Sequence, residues 1–164
     1  PGLTVGKRAQ TDYVGSAGNL TNGSDGPVTQ SRNTGIPRVR MEMVTDGTSN
    51  TLFAGEGCQA IQWYRSATPT PERDWHRGGY TVGWASGSNS HWWNRRGAFP
   101  PLKDFYSTST NSYILIMRSF GSAHPGGINA VLGDGSVRTI SYTVNPQTFI
   151  NLCVRNDGET LGDY

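Results

Sequence analysis

The stretch Ile128-Asn129-Ala130-Val131-Leu132-Gly133-Asp134-Gly135-Ser136-Val137-Arg138-Thr139-Ile140-Ser141-Tyr142 decides how this chain folds. Two β-rich runs, 128–133 and 136–142, flank Asp134-Gly135, the dipeptide that a type I′ turn prefers, so the stretch predicts a β-hairpin. Directly downstream, Asn145-Pro146 supplies an N-cap with proline at the first helical position. Phe149, Ile150, Leu152, Cys153 and Val154 then give the following helix a broad apolar face, and Asn156-Asp157-Gly158 is expected to stop it. Upstream, Tyr113 to Met117 is a continuous apolar run with the β-branched and aromatic content of a buried strand. Residues 112–164 therefore read as an antiparallel sheet with a helix packed on it.

Moving outward, residues 62–106 form a different kind of segment. They contain all five tryptophans, at 63, 75, 84, 92 and 93, and between Trp63 and Asp104 six Lys or Arg stand against three Asp or Glu. No helical period runs through them, and they read as a long Trp- and Arg-rich loop insertion. Before it, Thr51 to Gly57 reads as a strand and residues 38–44 as a short helix. The first 36 residues are rich in Gly, Ser, Thr and Asn, with Asn22-Gly23 and Asp25-Gly26-Pro27 as turn dipeptides, and are mostly loop.

A length of 164 residues matches one ordinary domain, so a single globular domain over 1–164 is expected. Leu, Ile, Val and Phe together number only 30. With a formal charge of only +2, that scarcity points to an aromatic-rich, loop-rich globular core rather than to disorder. The near-neutral balance argues against nucleic acid as a partner, since such binders concentrate basic charge on one face. No run of about 18 apolar residues is present to span a bilayer. The chain opens with Pro1-Gly2 rather than Met, so a processed product or an excised fragment is expected, with any targeting signal lying upstream. Cys58 and Cys153 lack zinc-like spacing. They are either two free thiols or, in an exported protein, a disulfide closing a loop of about 95 residues.

Three further stretches carry a resemblance: Thr11-Asp12-Tyr13-Val14-Gly15-Ser16-Ala17-Gly18, Thr45-Asp46-Gly47-Thr48-Ser49-Asn50-Thr51-Leu52 through Glu56, and Phe120-Gly121-Ser122-Ala123-His124-Pro125-Gly126-Gly127. In content and order they resemble the signature blocks of the DUF1559 family, planctomycete-type pilin-like proteins. His124, nine residues, then Asp134-Gly135 is similar to that family's H-X9-DG prepilin-processing-associated element, and Gly158-Glu159-Thr160 resembles its usual ending. The resemblance implies an α+β, pilin- or pseudopilin-like globular head whose N-terminal stalk helix is absent from this chain. It further implies a non-enzymatic, exported filament or surface subunit of a type IV pilus or type II secretion-like system. Such a protein is extracellular, on the cell surface or in the periplasm, has other copies of itself or pilin-like subunits as partners, and meets the membrane only through the missing helix.

Several side-chain groups invite a more chemical reading. Trp84, His91, Trp92, Trp93, Arg95 and Arg96 form the densest aromatic and basic cluster, suited to stacking on a glycan or another solute, or to a partner protein. The alternative is a second small core beneath a long loop. Asp46, Ser49 and Asn50 crowd oxygen-bearing side chains, with Glu56 as an additional ligand, in a composition that could hold calcium. Asx-turn chemistry explains it equally, and Asn156-Asp157-Gly158-Glu159 is a similar, weaker case. His124 and Asp134 could form a base-and-orienter pair or share a metal in a hydrolase, but a strand between them separates the two by roughly 20 Å. They read better as a bend and a turn. No Gly-x-Ser-x-Gly elbow is present.

Overall fold

The computed structural model describes residues 12–19, 25–29, 38–64, 99–106, 115–116, 118–159, 161–162 and 164. It is α+β. Four strands form one antiparallel sheet: β1 (Tyr13–Gly15), β2 (Leu52–Glu56), β5 (Gly127–Leu132) and β6 (Val137–Ser141), side by side in the order β1-β2-β5-β6. Two short strands, β3 (Leu102–Lys103) and β4 (Gly121–Ser122), pair in parallel as a second sheet. Helix α1 spans Pro146–Cys153. Among the described residues no helix is long and apolar enough to cross a membrane.

The predicted hairpin is β5–β6, paired from Gly127↔Ser141 to Val131↔Val137. Its turn differs from the expected two-residue type. The Gly135 N–H donates to the Leu132 carbonyl at 3.0 Å and the Leu132 N–H to the Ser136 carbonyl at 2.9 Å, so three residues, Gly133-Asp134-Gly135, make the loop. Gly135 sits at φ +85°, the left-handed position that a three-residue hairpin assigns to glycine. Asp134 Oδ1 accepts from the Ser136 N–H and hydroxyl, at 2.8 and 2.7 Å, and locks the turn.

Alternation along β5 aims Ile128, Ala130 and Leu132 at the core, where Leu52, Phe120, Ile140, Phe149 and Leu152 meet them with essentially no exposure. The Phe120 and Phe149 rings pack edge to face, centroids 5.8 Å apart. Helix α1 starts as the sequence predicts, with Asn145 Oδ1 accepting from the Gln147 and Thr148 N–H groups. It ends at Cys153, before Asn156-Asp157-Gly158, because the following residues are claimed by long-range bonds: the Arg155 N–H donates to the Asp25 carbonyl and its own carbonyl accepts from the Asp46 N–H.

Two expectations need correction. Leu115, Ile116 and Arg118 are helical rather than extended, the Ser119 N–H donating to the Leu115 carbonyl at 2.9 Å. A short apolar run fits a buried helical turn as well as a strand, and here Ile116 packs on Cys58 and Ala60 with Leu102 and Phe105 beside them. The short helix expected over 38–44 is a single 3-10 turn, Met41–Met43.

Cys58 and Cys153 are buried in separate clusters, Cys153 in the main core and Cys58 beside Leu102 of β3, and are not joined to each other, so the bridge alternative is not realised. Burial pushes the Cys153 thiol up to about 12.

Candidate functional site

The tail of β2 leads the chain into the site. The β2–β5 ladder ends at Gly55↔Ala130, and the next residue, Glu56, uses its side chain to continue the pairing: Oε2 accepts from the Asn129 N–H at 2.7 Å. That bond fixes the carboxylate and turns Oε1 toward His124, whose Nε2 lies 3.1 Å away. His124 is held from its own side. Its N–H donates to Ser122 Oγ at 2.9 Å, and the Tyr142 hydroxyl lies within hydrogen-bonding distance of the Ser122 and His124 carbonyls, at 2.9 and 3.1 Å. The Glu56 side chain keeps 13% of its surface in solvent and His124 58%, so the pair reaches from the wall to the opening.

A second carboxylate faces the same space. The Asp104 N–H donates to the Ser122 carbonyl at 2.9 Å, which ties the end of β3 to β4. Gly121 makes that approach possible, since a Cβ there would stand 2.4 Å from the Leu102 carbonyl oxygen and 2.6 Å from the Cys58 Cβ. The buried Asp104 side chain accepts from the Gln59 N–H at 2.8 Å and from the Tyr64 hydroxyl through a short hydrogen bond. Burial, foremost, and the charge of Glu56 raise the Asp104 pKa, although the bonds from Tyr64 and Gln59 pull it down. Burial and Asp104 together raise the Tyr64 phenol far above its usual value.

These groups line a cavity of about 520 Å³, walled by Glu56, Gln59, Tyr64, Asp104, Ser122 and His124 and reached past Asp12 and Tyr13. Three carboxylates face it, and no lysine or arginine is among its described lining residues. Tyr64 and Asp104 stand at the two ends of the Trp-rich insertion, and the Ile61 N–H donates to the Phe105 carbonyl at 3.2 Å beside them. The insertion therefore springs from the rim of this cavity.

The residues singled out from sequence fall as follows. Trp84, His91, Trp92, Trp93, Arg95 and Arg96 lie outside the described residues. Asp46, Ser49, Asn50 and Glu56 do not converge as a calcium set: Glu56 belongs to the cavity above, while Asp46 is occupied elsewhere. Asp46 Oδ2 accepts from the Asp157 N–H at 2.8 Å and Oδ1 from the Gly158 N–H at 3.0 Å, and the Asn50 side-chain amide donates to the Asp46 carbonyl. The crowded oxygens thus serve as a clasp between two turns, as Asx chemistry allows. Among the described residues no group of three or more His, Cys, Asp or Glu side chains is arranged to hold a metal ion.

His124 and Asp134 are separated as the strand geometry requires, one in the cavity and the other in the hairpin turn. The Glu56–His124 pair escaped sequence reasoning because 68 positions separate the partners, and only the placement of β2 beside β5 joins them. Asp104 and Tyr64 carried no motif at all. A signal was available in their position, since groups at both ends of an insertion must come together when its base closes.

A family model described as a protein of unknown function (DUF1559) matches residues 4–147 of the chain. No curated protein and no solved structure matches it.

Proposed function

Because the chain belongs to the DUF1559 family, we propose that it is the folded, non-enzymatic head of an exported pilin-like or pseudopilin-like protein, working at the cell surface as a filament or surface subunit. The observation that carries this reading is the architecture: an antiparallel sheet and one helix sharing a single, mainly aliphatic core, the form expected of such a head. The Glu56–His124 pair fits a binding wall better than a catalytic one. Its neighbouring hydroxyl, Ser122 Oγ, is engaged by the His124 backbone rather than by the imidazole.

Surface proteolysis of cells making the full-length gene product tests the proposal. The head should be cleaved by protease added to intact cells, and the coding sequence upstream of Pro1 should specify a basic leader followed by about 20 apolar residues. A head that stays protected until the cells are lysed, from a gene without such a segment, would remove it.

The cavity favours a second reading, a module that captures a small solute outside the cell. A concave space with a few fixed polar groups, at the two ends of the Trp-rich segment, is a common form of ligand site.

A further inference from the structure

We propose that the cavity receives a small organic cation, its ammonium or guanidinium group held between Glu56 and Asp104 and its carbon chain against the Tyr13 and Tyr64 rings. The inference rests on the solute-binding reading and supplies the class of solute. It is independent of whether the head assembles into a filament.

Three features of the wall lead to it. The first is preorganisation. Glu56 and Asp104 are each anchored by a backbone N–H, from Asn129 and Gln59, so both carboxylates are held in place before a ligand arrives. The second is charge: Asp12, Glu56 and Asp104 face one space, His124 is the one described lining group able to carry a compensating positive charge, and it is paired with Glu56. Asp104, buried and kept near Glu56, holds its proton more tightly than usual, burial being the main cause. The third is shape. Tyr13 and Tyr64 both line the cavity and are about half exposed overall, at 50% and 48%, and phenol rings attract ammonium and guanidinium groups. A neutral sugar would find acceptors in abundance but few donors, whereas a cation with several N–H groups finds the complementary set.

Isothermal titration of the 164-residue chain with agmatine and with putrescine, at neutral pH and low salt, tests this. Saturable binding is expected, weakened about tenfold or more in Asp104→Asn and in Glu56→Gln. Glu42→Gln removes one charge at an exposed site outside the cavity and should leave binding unchanged. Near-UV circular dichroism of each variant separates a lost contact from a lost fold. If either cavity variant is misfolded, Asp12→Asn at the exposed rim replaces it, with weaker binding again expected. Failure of both amines to bind overturns the proposal, and so does equal weakening in Glu42→Gln, which marks unspecific charge attraction. Saturable binding of neutral sugars without amine binding keeps the cavity as a solute site and overturns the ligand class.

Discussion

Asp104 shows how one side chain is made to act against its own solvation. Its carboxylate is buried with hydrogen bonds from Tyr64, Gln59 and Cys58, yet burial outweighs them and its pKa rises above the ordinary 3.8. A carboxyl whose pKa is higher folded than unfolded binds its proton more tightly in the native state, so its ionised form opposes folding. That cost is absent below 3.8, grows as the pH climbs toward the raised folded value, and is fully present above it. Asp104→Asn removes the charge and keeps an oxygen for the Gln59 N–H. The variant is therefore expected to melt at a higher temperature than the parent near neutral pH, with the difference closing toward about pH 3. Thermal melts at a series of pH values check this, and an Asn variant less stable at every pH would mean that the Tyr64 bond outweighs the cost of burying the charge.

At the level of elements, local chemistry and long-range pairing divide the work. The start of α1 is local. Asn145 caps two N–H groups and Pro146 presets the first turn, so Asn145→Ala should destabilise the fold by about 1 kcal/mol, read as a shift of the urea midpoint without a change of slope. A cost near zero would show that packing of Phe149 and Leu152 holds the helix without its cap. The end of α1 is not local. Its terminus is set where Arg155 is drawn to Asp25 and Asp46 across the fold, which a reading of Asn156-Asp157-Gly158 as a stop signal could not register. The hairpin lies between these cases. Its strands were visible in their β-rich content, but the choice of a three-residue loop depended on the register that β5 adopts with β6.

Across the whole molecule, Phe120 joins the parts. Its ring is fully buried in the main core against Phe149, its carbonyl accepts from the Leu102 N–H of β3, and it bridges to Gly57 at the cavity end of β2. Phe120→Ala should cost about 3–5 kcal/mol, much of the total stability of a small domain. Chemical denaturation measures it, and a loss below about 1 kcal/mol would show that the ring is not central. In this molecule, family blocks, hairpin, helix start and the separation of His124 from Asp134 were legible in the amino-acid order, because turn chemistry, capping and residue spacing act over a few neighbouring positions. The cavity was not. Glu56 meets His124, and Asp104 meets Tyr64, only after β2 lies beside β5 and the base of the insertion closes. Contacts between residues dozens of positions apart follow from sheet register and burial, which no local pattern encodes.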